Sequence, residues 1–130
     1  MENKKPDCVI KQIYGEEFIQ FFPLMKELNF TDMTPVQCLS KCLWGDFLGY
    51  VAILDGKTVG MVVYRFVDPS FVFVIALHCK NNLKYFLDTF YDDLKKKGVK
   101  VVRSSTTRPE KAYGRVMKMK RLWTVYERSL

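Results

Sequence analysis

Residues 71–98 read FVFVIALHCKNNLKYFLDTFYDDLKKKG, and the fold turns on this stretch. Phe71 to Leu77 is apolar at every position, the pattern of a central strand covered on both faces. The periodicity then changes. Leu83, Phe86, Leu87, Phe90, Tyr91 and Leu94 recur at the three- and four-residue spacing that puts one apolar stripe on a helix. Asn81 or Asn82 is placed to cap that helix. Lys95, Lys96 and Lys97 lie at its C-terminal end, where the helix dipole favours positive charge, and Gly98 ends it. A buried strand therefore runs directly into an amphipathic helix.

Upstream lies a hairpin. Tyr50 to Leu54 and Thr58 to Val67 are strand-like, and Asp55-Gly56 between them favours a tight two-residue turn. Asp68-Pro69-Ser70 turns the chain again into Phe71, so three strands follow one another as a meander. Further back, Val9 to Ile13 alternates as a short first strand, with Val9, Lys11 and Ile13 on one face and Ile10 and Gln12 on the other. Glu16 to Leu28 reads as a helix with Phe18, Ile19, Phe22, Met25 and Leu28 inward, kinked or divided by Pro23. Thr34-Pro35-Val36-Gln37 announces a second helix with a capping box; its expected inner face is Val36, Leu39 and Leu43. Downstream, Val99 to Ser104 is a fifth strand, Glu110 to about Lys118 a helix opened by Pro109, and Leu122 to Tyr126 a final strand. The expected architecture is one α+β domain over residues 1–130, with 1–7 as a polar tail. Its mixed, mostly antiparallel sheet is flanked by helices in the order β-α-α-β-β-β-α-β-α-β.

Composition agrees with a packed domain, since 48% apolar and 15% aromatic residues exclude a disordered chain. No apolar run approaches the ~20 residues of a spanning helix, and the first residues lack a signal core, so a soluble, unexported, cytoplasmic protein without a membrane partner is expected. Four cysteines, Cys8, Cys38, Cys42 and Cys79, show no paired framework; reduced thiols are expected. Cys38 and Cys42 with His78-Cys79 can be drawn as a zinc site, but the spacing is not that of a zinc knuckle and no metal is expected. Charge is uneven. Residues 1–94 hold 9 basic and 12 acidic side chains, while residues 95–130 hold 12 basic and 2 acidic ones. That basic region (95–128) favours an anionic ligand, nucleic acid or an acidic protein partner.

The order of elements resembles the GNAT N-acetyltransferase fold. Tyr50 to Val62 is similar to that family's hairpin, with its turn ending in Gly56 and its Val59-Gly60 return strand. Val99 to Thr107 followed by Ala112-Tyr113 resembles the fifth strand and the tyrosine-bearing helix, and Leu122 to Glu127 resembles the closing strand. The resemblance implies acetyl-CoA as co-substrate and an amine as acceptor. It places the cofactor against Leu77, Cys79, Lys80, Asn81, Asn82, Leu83 and Lys84, and the hydroxyls of Ser104, Ser105, Thr106 and Thr107 can bond the pantetheine arm or the substrate.

In the family a Gln/Arg-x-x-Gly-x-Gly/Ala loop presents backbone N–H groups to the pyrophosphate at a helix start. Residues 77–84 contain no glycine, which makes close backbone approach harder; the helix start remains, and Lys80 and Lys84 supply charge. Met117-Lys118-Met119 stands where the family carries Leu-Gly-Phe. Short bacteriophage GNAT-like proteins, some of them virion components, have a similarly eroded loop.

Acetyl transfer needs a group to take the amine proton and another to protonate the thiolate. The resemblance makes Tyr113 the acid; His78 and Asp68 are the candidate bases. Each also has a plain structural reading: a ring packed on a helix face, a strand-end histidine, an Asp-Pro turn. Two other functions stay open. One is a catalytically degenerate GNAT fold serving as a structural or protein-binding part, in a host cytoplasm or a phage virion. The other is a small nucleic-acid-binding protein using Arg108, Lys111, Arg115 and Lys118, which can share one helix face near Trp123 and Tyr126.

Overall fold

The computed structural model describes residues 8–28, 30, 33–80, 82–105, 120–122 and 125–130. The elements in chain order are β1 (Cys8–Ile13), α1 (Glu17–Gln20), α2 (Phe22–Met25), α3 (Pro35–Leu43), β2 (Leu48–Leu54) and β3 (Lys57–Asp68). They continue with β4 (Phe71–Cys79), α4 (Leu83–Lys96), β5 (Val101–Ser105), β6 (Lys120–Leu122) and β7 (Val125–Ser129). The strands form one sheet in the order β1-β2-β3-β4-β5-β7-β6. Every neighbouring pair is antiparallel except β4 and β5, which run parallel and are joined by α4. A parallel pair requires such a crossover.

Helix α4 covers one face of the sheet and α1, α2 and α3 the other. Phe86, Leu87, Phe90, Tyr91 and Leu94 of α4 pack on Tyr50, Ala52, Val62, Tyr64, Val72 and Val74. All five fall on the stripe expected from their spacing. The helix ends as expected too: Val99 N–H bonds Leu94 O at 3.0 Å, Gly98 N–H bonds Lys95 O at 3.1 Å, and Gly98 takes φ +93°. This is a Schellman closure, for which only glycine has ready access to the backbone angle. Near this end, Lys97 Nζ donates to Gln12 Oε1 (2.8 Å) and the Tyr50 hydroxyl (3.1 Å). Gln12 Nε2 in turn donates to the Tyr64 hydroxyl at 2.9 Å. Burial holds the Tyr64 phenol well above its ordinary pKa, so it stays protonated.

On the other face, Pro23 divides the first helical segment into two four-residue helices. Phe18, Phe21, Leu24, Met25 and Leu28 are buried there, whereas Ile19, expected inside, is 55% exposed. The break resets the periodicity, so a single stripe drawn across it fails. Thr34 and Gln37 form the expected capping box at α3: Gln37 N–H donates to Thr34 Oγ1 at 3.2 Å and Thr34 N–H to Gln37 Oε1 at 2.8 Å. The inner face of α3 is not the expected one. Cys38 and Cys42 are fully buried, Leu39 is only partly so, and Val36 (65% exposed) and Leu43 face outward with Trp44, which is 82% exposed. The small thiols sit at the core where Val36 and Leu43 were expected. The last expected strand also differs. Instead of one strand over Leu122 to Tyr126, β6 and β7 form an antiparallel pair, and β7 reaches Ser129. The expected helix from Glu110 lies outside the described residues.

Candidate functional site

Strand β4 changes its pairing midway. Val63 pairs with Ala76 and Tyr64 with Val74, so Ile75 is an extra residue on β4, a β-bulge. The faces invert across it. Val72 and Val74 pack toward α4, whereas Ile75 and Ala76 both pack toward α1–α3 and Leu77 returns to the α4 side. Pairing with β5 stops at the same place. Phe71 to Val74 pair with Val101 to Ser104, and beyond Val74 the strand is paired with β3 alone among the described residues. Among the described residues, nothing pairs with the edge of Ile75–Cys79 toward β5, just before α4.

The end of β4 is anchored to β3. Gly60 pairs with Cys79 and Met61 with His78, and Lys80 N–H bonds Val59 O at 2.7 Å. A Cβ on Gly60 would stand 2.7 Å from Cys79 Sγ and 3.3 Å from His78 O. Only a residue without one lets β4 end here undistorted. Asn82 then turns the chain into α4 with left-handed angles (φ 59°, ψ 36°). It occupies the N-cap position, but its side chain makes no capping bond, contrary to the sequence expectation. A cap needs extended backbone to aim its oxygen at the first turn, and the left-handed angles prevent this. Asn81 lies outside the described residues.

Leu77, Cys79 and Leu83 are partly buried against the α4 core. His78 lies on the α1–α3 face; its Nε2 is buried and has no hydrogen-bond partner among the described residues. A buried nitrogen without a partner costs about 1–3 kcal/mol, so a site that keeps one is a place to expect a ligand or water. Both lysines are engaged by carboxylates: Lys80 Nζ is 3.5 Å from Glu27 Oε1, and Lys84 Nζ is 3.1 Å from Asp88 Oδ2. Ser105 ends β5 one step past the last residue shared with β4 and pairs with Val125 of β7. These residues therefore gather at one end of the β4–β5 seam.

Asp68 does not join them. It ends β3, paired with Phe71 at the opposite end of β4 and roughly 20 Å or more from His78 at the rise of an extended strand. Its Oδ1 accepts from Ser70 N–H (2.8 Å) and Ser70 Oγ–H (2.9 Å), bonds that close the turn and hold the carboxyl below its usual pKa. Tyr113 lies outside the described residues.

The four cysteines do not converge either. Cys38 and Cys42 are in the core under α1–α3, and Cys79 packs on the opposite face of the sheet. Hydrogen bonding to Cys38 and burial push the Cys42 thiol far above its ordinary pKa. Of the basic region, Lys97 is bonded to Gln12, Tyr50 and Asp93, Arg103 lies over the Phe71 ring, and Arg128 lies over the Tyr91 ring. Those three side chains are used inside the fold. Among the described residues no helix is long and apolar enough to cross a membrane.

Sequence reasoning missed the bulge at Ile75 and the carboxylate of Glu27. An all-apolar strand carries no alternation whose break would reveal a bulge. Glu27 lies far from Lys80 in sequence, and only packing of α2 beside β3 and β4 brings them together.

No family model and no curated protein matches the sequence. Solved structures do match the fold. A GNAT family acetyltransferase from Elizabethkingia anophelis with acetyl-CoA bound superposes with a TM-score of 0.73 at 12% identity, covering 97% of this chain and 100% of that one. A probable acetyltransferase from Staphylococcus epidermidis gives 0.71 at 9% identity, covering 94% and 98%. The IAA acetyltransferase from Bacillus cereus gives 0.64 at 18% identity, covering 85% and 73%. The chain has the GNAT acyl-CoA N-acyltransferase fold.

Proposed function

We propose that this protein binds acetyl-CoA in the seam between β4 and β5 and transfers the acetyl group to an amine. The observation that carries this reading is the parting of the two strands after Val74 and Ser104, directly ahead of the start of α4. The edge of Ile75–Cys79, unpaired toward β5 among the described residues, offers backbone N–H and C=O groups to an amide-bearing arm. The first turn of α4 offers N–H groups and the positive end of the helix dipole to phosphates, and the Asn82 side chain does not occupy them. The residues fit the group without the glycine loop, with Lys80 and Lys84 as the nearby cations.

Acetyl-CoA supplies an activated thioester. In this reading His78 takes the proton from the attacking amine, whose entry must open a path to the buried Nε2. Tyr113, assigned by the family resemblance, gives a proton to the departing thiolate. Asp68 has no part in the step, being at the far end of β4.

A second reading has a specific observation in its favour. Residues 77–84 lack glycine and both lysines already have carboxylate partners, as in a fold kept for structure or protein binding after its cofactor site decayed. Calorimetry and thermal unfolding with acetyl-CoA separate the two. Binding at sub-millimolar ligand with a matching rise in Tm supports the enzyme. No heat and no shift at several millimolar leaves the scaffold.

A further inference from the structure

Lys80 is the first residue after β4, and the bond from its N–H to Val59 O fixes its backbone to the sheet. Its side chain is turned toward Glu27, just past α2, at 3.5 Å, with the two side chains 54% and 47% exposed. The helix that offers N–H groups to an anion begins three residues later, at Leu83. The other cation, Lys84, is paired within its own helix to Asp88, so of these two pairs the Lys80–Glu27 pair is the one that ties separate segments together. Glu27 also lines a shallow groove of about 240 Å³ with Gln20, Phe21, Pro23, Leu24 and Thr58, which keeps its carboxylate beside solvent.

An exposed carboxylate holds an ammonium weakly, because water screens the pair. A phosphate with more charge and more acceptor oxygens competes well for the same lysine. We infer that Glu27 is the resident counter-ion of Lys80, and that a phosphorylated ligand entering at the start of α4 takes the lysine from it. Glu27 then sets the affinity of the site for phosphate-bearing ligands of the coenzyme A type without touching them. The inference rests on the proposed acetyl-CoA site, and it assigns Glu27 a positioning role that acts through Lys80.

The test is calorimetry with coenzyme A on the full chain and on Glu27→Gln, Lys80→Ala and the double variant, at low and high salt. Glu27→Gln should bind about threefold more tightly, the scale of one exposed ion pair. Lys80→Ala should bind about three- to tenfold more weakly and lose part of the salt dependence. The double variant should match Lys80→Ala within about twofold, because Glu27 has no effect once the lysine is gone. Unchanged or weaker binding by Glu27→Gln overturns the inference, as does a gain that persists in the double variant. The unliganded Tm should be nearly the same for all four proteins; a large drop in Glu27→Gln would make the pair structural and also overturn it. Absence of coenzyme A binding by the unmodified chain removes the proposed site altogether. Binding that ignores Glu27 removes only the counter-ion role.

Discussion

Gly60 and Cys79 face each other across β3 and β4 so closely that a Cβ on Gly60 would lie 2.7 Å from the Cys79 sulfur. The contact lies at the last residue of β4, shortly before α4 starts. Gly60→Ala should destabilise the protein by about 1–3 kcal/mol, the usual result of overpacking, and should weaken acetyl-CoA binding. Cys79→Ala in the same chain should recover part of the loss by removing the sulfur. Denaturant unfolding of the two single variants and the double variant measures this. Strictly additive losses would show that the sulfur is not the obstacle.

His78 offers a way to separate folding from chemistry. His78→Leu removes the buried Nε2, which has no partner among the described residues, so stability should hold or rise by about 1 kcal/mol. Transfer should fall by about 10²- to 10⁴-fold if the imidazole takes the amine proton. Unfolding curves and a thioester-consumption assay on one preparation give both readings. Activity that survives the substitution would remove His78 from the mechanism.

The Asp68 turn predicts a local pH dependence. Its carboxyl is depressed in the folded state by Ser70, first through the backbone N–H and then through the hydroxyl. A depressed acid stabilises the fold above its unfolded pKa, near 4, and that contribution disappears as pH falls through the folded value. Asp68→Asn keeps an acceptor for Ser70 but cannot titrate. The variant should show a flatter fall of Tm between about pH 5 and pH 2, with acetyl-CoA binding at neutral pH unchanged. An acid profile identical to that of the parent would show that the turn bonds are irrelevant to stability.

Helix α3 makes a contrast between its two faces. Trp44→Ala removes the largest outward side chain and should change stability by no more than about 0.5 kcal/mol. Cys38→Leu adds volume to a fully buried site and should cost about 1–3 kcal/mol. Thermal unfolding of both variants checks the orientation of the helix. A larger loss for Trp44→Ala than for Cys38→Leu would invert it.

Much of the scaffold is legible in residues 71–98. The α4 stripe, its lysine-rich end and the Gly98 stop are local properties, because each depends on residues within one or two turns of helix. The Thr34–Gln37 capping box and the Asp55-Gly56 hairpin are legible for the same reason. Reading failed where a choice depended on what lay across the core. Val36, Leu43 and Ile19 are apolar yet exposed, so apolarity alone did not decide which face turned inward; packing across the core did.

The candidate site follows the same division. The chain alone determined that a buried strand would be followed at once by a helix start with His78, Lys80 and Lys84 beside it, since sequence adjacency guarantees that proximity. It did not determine that β4 would bulge at Ile75 and part from β5 after Val74, or that Glu27 would reach Lys80. That Asp68 lies at the other end of the strand from His78 was legible, since it stands in the turn before Phe71. Strand pairing and packing link residues distant along the backbone, and they are settled by the mutual fit of whole elements rather than by any neighbour's identity.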